Sequence, residues 1–228
     1  LLKSFELSYQ EFEKLSRIAR DENLLFISTP FDIESALFLA KIVSAIKIAS
    51  GDINFYPLIE TLAQTGLPLI LSTGMADLNQ IYKAKGIVED IWDREKVTGE
   101  LAILHCVSAY PVNPEFANLR AVQTLAQKLD CTVGYSDHTL GIHAAGVAVG
   151  LGARIVEKHF TKDKKLSNFR DHQLSANPVE MKQMVEIIRE VEQMLGSGEK
   201  TPQRPEADSM VAVRRSIVAK HTISKGDT

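Results

Sequence analysis

The chain has 228 residues, of which 45 % are apolar and 24 % charged, and its formal net charge is −3. That balance supports a sizeable globular core, and a slightly acidic chain without a basic run is a poor partner for nucleic acid or an anionic membrane. No apolar run approaches the roughly 18 residues of a membrane-spanning helix, and Cys106 and Cys131 fall in no disulfide or zinc-ribbon spacing.

The start carries neither an initiator Met nor a signal-like segment, so a fragment of a cytoplasmic protein is expected. "SYQEFEKLSRIARDEN" opens with Ser8 and Glu11 in capping-box spacing, and Phe12, Leu15, Ile18 and Ala19 share one helical face. Short apolar, β-branched runs follow at 24–30 ("LLFISTP") and 45–50 ("AIKIAS"). "NFYPLIETLAQTG" then predicts a helix closing on Gly66. Four more such runs lie at 67–73 ("LPLILST"), 101–108 ("LAILHCVS"), 132–137 ("TVGYSD") and 153–160 ("ARIVEKHF"). The last helix, "NPVEMKQMVEIIREVEQMLG", takes Asn177 as N-cap, Pro178 in its first turn and Gly196 as its stop. "GSGEKTPQRPEADSM" reads as a polar linker, and "RRSIVAKHTISKGDT" as the first strand of another domain. The domains are therefore 1–199 and 200–228.

Runs this short and apolar suit strands buried on both faces, and their alternation with helices gives an α/β fold with parallel strands. Polar residues end every run: Ser28-Thr29, Ser50, Ser72-Thr73, Ser108, Ser136-Asp137-His138 and His159. An open doubly wound sheet would confine them to one switch point, whereas a barrel collects them from many strands. A (β/α)8 TIM barrel is expected, with six of its β/α units in this chain.

Side chains alternate along a strand, so parity sorts them. Gly134, Ser136 and His138 share one face, as do Ile155, Glu157 and His159. If both sets point to the barrel axis, the two imidazoles stand at one level on neighbouring strands about 4.8 Å apart. Such a pair can hold a borderline divalent ion, Mn²⁺ or Zn²⁺, in an open catalytic shell. A lone strand-end histidine is more often a hydrogen-bonded core or rim residue. The matched depth of these two favours ligation. His105 has the opposite parity to Cys106 and should face the helices; His143 reads as structural, and His221 carries no signal. Lys47 sits between isoleucines, where an unpaired ammonium is costly, so it needs either a carboxylate such as Glu157 or a substrate phosphate. Ser50, Ser72 and Ser136 lie near the same rim and suit phosphate oxygens. Tyr110, of Ser108 parity, belongs at the mouth, and Asp171 in the polar loop after His159 can meet substrate hydroxyls. "GVAVGLGA" lacks dinucleotide-binding spacing and reads as helix packing.

The phrases "FISTPFD", "KIASGD", "YPLIE", "LPLILSTGM", "LHCVSAYP", "VGYSDHT", "EKHFT" and "RDHQLSANP" resemble the sialic acid synthases and their relatives making other nonulosonic acids, in the same order along nearly the whole chain. The resemblance implies a barrel that condenses phosphoenolpyruvate with an N-acyl hexosamine-type aldehyde. It implies His138 and His159 as ligands of a divalent metal, typically Mn²⁺ (Mg²⁺, Co²⁺ and Zn²⁺ being the alternatives). It further implies Thr29, Lys47, Ser50, Ser72, Ser108 and Ser136 as phosphoenolpyruvate contacts, with Tyr110 and Asp171 toward the sugar. Lys47, Tyr110, Glu157 and Asp171 are the expected catalytic set. The better-known N-acetylneuraminate synthases carry Asn where Ser108 stands, and a Gly-Pro-rich loop where this chain reads "SNFRD". The C-terminal stretch resembles the beginning of an antifreeze-like (SAF) domain, which implies a homodimer. Competing readings are a synthase of the KDO-8-phosphate or DAHP type, which needs a second phosphate site, and a metal-dependent barrel hydrolase, which needs more ligands. A non-enzymatic sugar-binding module would have no use for a buried lysine beside two inward histidines.

Overall fold

The computed structural model describes residues 6–166 and 170–226. Helix α1 (Tyr9–Asp21) forms as its capping box predicts: the Glu11 amide donates to Ser8 Oγ at 3.3 Å and the Ser8 amide donates to Glu11 Oε2 at 2.7 Å. The chain then alternates β1 (Ile27–Ser28), α2 (Ile33–Leu39), β2 (Ala45–Ile48), α3 (Tyr56–Ala63), β3 (Leu69–Ser72), α4 (Leu78–Glu95), β4 (Leu101–Cys106), α5 (Arg120–Lys128), β5 (Thr132–Asp137), α6 (His143–Gly150) and β6 (Ile155–Lys158). All six predicted strands are present, each parallel to the next, in the order β1-β2-β3-β4-β5-β6. An unbroken sequential order belongs to a barrel wall; a doubly wound sheet reverses at a switch point. Among the described residues the wall comprises six strands, a half-barrel.

Strand β1 is shorter than its apolar run, because pairing with β2 extends only over Ile27↔Ala45 and Ser28↔Ile46. Leu24 and Leu25 stand outside the ladder, 64 % and 77 % exposed. The main core lies between the outer face of the sheet and the helices. Ile46, Ile48, Leu69, Leu71, Ile103 and Val133 meet Leu58, Leu62, Ile81, Val88 and Leu125 there. Each fully buried aliphatic side chain contributes about 1.5–3 kcal/mol, so this face holds the wall together. The opposite residues of each strand are left free to build a site.

After β6 come α7 (Arg170–Leu174) and α8 (Pro178–Leu195). Asn177 caps α8 as predicted: its Oδ1 accepts from the Glu180 amide at 2.9 Å, and Gly196 ends the helix at φ 57°. "GVAVGLGA" is helix packing as expected, since a Cβ on Gly146 of α6 would come within 2.9 Å of Ile187 on α8.

Residues from Leu195 onward form a separate unit. Two expectations fail in it. The supposed linker contains α9 (Ala207–Val213), preceded by a turn in which the Gln203 amide donates to Glu206 Oε2 at 2.6 Å. That reciprocal cap closes a 3-10 turn over Arg204–Glu206, with Pro205 in it, which runs directly into α9 where composition alone suggested coil. The alternating stretch after it forms no strand over the described residues 214–226. A single alternating segment has no ladder until something pairs with it.

Candidate active site

Strand register sets the inner face level by level. Lys47 is aligned with Ile70, Leu104 with Gly134, Cys106 with Ser136, and Ser136 with Glu157. Gly134 is needed at its position: a Cβ there would come within 2.5 Å of the Ile155 carbonyl oxygen and the Leu104 side chain.

Lys47 is buried, with Nζ 3.4 Å from Glu157 Oε2 and 3.4 Å from the Ile48 carbonyl. Both contacts are long for an ammonium with three donors, so Lys47 retains capacity for an anion. Glu157, whose role the sequence left open, faces Lys47 and accepts from Ser136 Oγ at 2.6 Å. Ser50 Oγ accepts from the Gly74 amide at 2.9 Å, and a Cβ on Gly74 would run into both Ser50 Oγ and Ser108 Oγ. Ser72 Oγ is buried and has no hydrogen-bond partner among the described residues. Buried hydroxyls are nearly always satisfied, so an orphaned one on this face marks a place for a ligand oxygen.

One level further, His138 and His159 stand with ring centroids 5.3 Å apart and planes at 67°. Two imidazoles on one ion, at metal–nitrogen distances of about 2.1 Å and angles of roughly 90–110°, place their ring centres about 4.7–5.4 Å apart. The pair fits a shared cation. His138 Nδ1 lies 2.9 Å from the Val107 carbonyl, which can only accept, so Nδ1 carries the proton and Nε2 keeps its lone pair for a ligand. Among the described residues no group of three or more His, Cys, Asp or Glu side chains is close enough to hold a metal, so substrate and water oxygens would complete the shell. The Tyr110 ring covers both imidazoles, 4.2 Å from His138 and 5.9 Å from His159.

The two rings differ electrostatically. Burial and the neighbouring His138 hold His159 below the usual histidine range, against the opposing pull of Asp171 and Glu157. Burial also opposes charge on His138, but the Cys106 thiol, the Val107 carbonyl and Glu157 outweigh it and raise its pKa. Burial would raise the Cys106 thiol as well, yet His138, Ser50 and Ser136 hold it below the ordinary value. Asp171, in the first turn of α7, adds its field at His159. The preceding residues 167–169, which carry most of the "SNFRD" departure, lie outside the described residues.

Thr29 is the predicted residue that stands apart. The ladder has ended at Ser28, and Thr29 lines a groove of ≈ 320 Å³ with Tyr9 and Phe31. His105 faces the helices as expected, with Nε2 2.9 Å from the Ala117 carbonyl, and burial holds its pKa down.

One feature escaped the sequence reading. Behind the histidines, Lys158 Nζ meets Asp137 Oδ2 at 2.9 Å, with side chains 1 % and 0 % exposed. The signal was present as an acid in "SDH" and a base in "EKH", both of outward parity and at matched distance from a histidine.

Comparison with known proteins shows the family and the fold. The sequence profile of the NeuB family matches residues 1–200. An uncharacterized protein of Methanocaldococcus jannaschii is 51 % identical over 228 residues, 100 % of this chain and 66 % of that protein. The N,N'-diacetyllegionaminic acid synthase of Legionella pneumophila is 44 % identical over 227 residues, 99 % of this chain and 63 % of the synthase. The chain thus spans about two thirds of the length of these curated relatives. The crystal structure of the N-acetylneuraminic acid (sialic acid) synthetase of Leptospira borgpetersenii, in complex with citrate, superimposes with a TM-score of 0.87 at 38 % identity, covering 95 % of this chain and 75 % of that one. By its sequence over nearly its whole length, and by a fold shared with that synthetase, the chain belongs to the NeuB family.

Proposed function

We propose that the complete protein condenses phosphoenolpyruvate with the open-chain aldehyde of an N-acyl hexosamine, releasing phosphate and forming a nonulosonic acid. The observation that carries this reading is the convergence of two imidazoles above a buried ammonium and an orphaned serine hydroxyl. The names of its relatives, a legionaminic acid synthase and a sialic acid synthetase, support the same product class. A divalent ion, Mn²⁺ in first place, would be held by His138 and His159 and would supply Lewis acidity toward an aldehyde oxygen.

The residues of the chain supply position and charge. Lys47, Ser50, Ser72, Ser108 and Ser136 hold the phosphate and carboxylate of phosphoenolpyruvate. Its C3 then bonds to the aldehyde carbon, water adds at C2, and the C2–O bond to phosphate breaks, leaving a 2-keto acid three carbons longer. Glu157 holds Lys47 in place. Tyr110 and Asp171 bound the space left for the sugar, and Thr29 would join from β1 once two further β/α units close an eight-stranded barrel. The break after Met194 supports a separate C-terminal domain, which we assign as SAF-like and as the contact of a cytoplasmic homodimer.

Phosphate release from phosphoenolpyruvate, measured with Mn²⁺ against a panel of N-acyl hexosamines, tests the reading. Release that depends on an N-acyl hexosamine is expected; release only with a sugar phosphate, or none with any sugar, would reject it. Lys47→Ala is expected to raise the KM for phosphoenolpyruvate about tenfold or more with little change for the sugar, because a charge-assisted contact contributes about 1.5–3 kcal/mol. Steady-state kinetics with each substrate varied in turn would reveal the opposite pattern if Lys47 serves the sugar.

The pH profile has a defined sign. Ligation needs neutral imidazoles. In the metal-free protein His138, held above the ordinary range, gains its proton first on acidification, and His159, held low, stays neutral further into acid; a bound cation competes with both protons. A log–log plot of kcat/KM against pH should therefore break on its acidic side, and the break should move to lower pH as Mn²⁺ is raised. An acidic break that does not move with Mn²⁺ would contradict the assignment.

A further inference from the structure

We propose that the buried Asp137–Lys158 pair is a positioning device for the two imidazoles: a clamp behind the sheet that fixes the spacing of His138 and His159. This rests on the reading of those histidines as a cation site. Asp137 immediately precedes His138, Lys158 immediately precedes His159, and the two are register partners at the end of the β5–β6 ladder. Strand alternation puts the pair on the helix-facing side while the imidazoles face inward.

The clamp is fully engaged. Asp137 Oδ2 takes Lys158 Nζ at 2.9 Å, and Oδ1 accepts from the Thr139 amide at 2.8 Å, the Thr139 hydroxyl at 2.8 Å and the Tyr135 hydroxyl at 3.2 Å. Lys158 Nζ also donates to the Thr139 carbonyl at 2.6 Å. The residues on both sides of His138 are thereby tied to the residue before His159. No β5–β6 pairing among the described residues continues past Asp137↔Lys158; beyond it the His138 and His159 carbonyls accept from the amides of Val112 and Ala176 on other segments, so the Asp137–Lys158 pair closes the direct link between these two strands.

Burying an ion pair brings little net stability over an apolar pair of equal volume, whereas it fixes geometry well. Spacing of this kind is what a two-ligand site requires, because a displacement of about 1 Å separates a preorganised site from a loose one. The acid and base thus do their work through the histidines and touch neither substrate nor cation.

The test uses Co²⁺ alone as the probe, titrated into the complete protein and read by its visible absorption bands. D137N/K158M keeps the charge balance and the acceptor for the Thr139 amide while removing the cross-strand link. The expected result is a folded variant, with cooperative thermal unfolding, whose Co²⁺ affinity is at least tenfold weaker and whose bands are altered, against outer-shell changes of about 10–100-fold at metal sites. Wild-type affinity and bands in the folded variant would overturn the clamp. Should the double variant unfold, D137N alone reads the same quantity, since its amide oxygen still accepts from Thr139 while the ion pair to Lys158 is gone. Wild-type protein that binds no Co²⁺, or H138A/H159A binding it as tightly as wild type, would remove the cation site itself and the clamp with it. That outcome is distinct from a tight histidine-dependent site indifferent to Asp137 and Lys158.

Discussion

His138→Ala and His159→Ala, made separately in the complete protein, are each expected to lower kcat by about three orders of magnitude. A Lewis acid contributes several kcal/mol to the charge developing at a carbonyl oxygen, and each 1.36 kcal/mol is about tenfold in rate. Two side chains 5.3 Å apart are all the chain offers among the described residues, so a site reduced to one imidazole retains the cation poorly. The two losses should not add, because the second substitution removes a site already lost. Rapid-quench measurement of phosphate release with saturating substrates decides this. Substitutions costing less than tenfold, with fully additive effects, would place the chemistry elsewhere.

Asp137→Ala is expected to destabilise the fold by about 3–5 kcal/mol, the cost of leaving one charge of a buried pair without its partner. Lys158 Nζ would keep a single carbonyl, Thr139, for an ammonium that is 1 % exposed. Asp137→Asn should cost less, since an amide oxygen still accepts from the Thr139 amide. Urea denaturation followed by far-UV circular dichroism gives the difference directly. A loss below about 1 kcal/mol for the alanine variant would mean that water reaches the lysine.

Much of this molecule could be read from its sequence because one-dimensional rules governed it. Capping boxes at Ser8/Glu11 and Asn177/Glu180 are local, and each set a helix start correctly. Parity placed His138, His159, Ser136, Glu157 and Lys47 on one face because alternation is a property of any strand, and the parallel register then brought them together. What parity could not supply was pairing across strands. The choice of Glu157 between Lys47 and His159 depends on distances between strands, and the Asp137–Lys158 pair lies on the face that a search for inward groups passes over. In the tail, composition misled: a proline-containing, reciprocally capped turn at Gln203–Glu206 leads straight into a helix over "ADSMVAV", inside a stretch that average polarity reads as coil.

The orphaned Ser72 hydroxyl and the long contacts of Lys47 share one property. Each is a polar group with capacity left over. Preorganised groups of this kind stabilise charge without reorganising at the moment of reaction. They lie on the inner face that also carries the imidazoles, as the proposed condensation requires of an anion site on Lys47.

Anomalous diffraction at the manganese edge, from crystals of the complete protein soaked in Mn²⁺, bears most directly on whether both histidines serve one ion. One peak within about 2.3 Å of Nε2 of both His138 and His159 is predicted. A peak bound to neither ring, or imidazoles turned so that their Nε2 atoms face away from each other, would contradict it.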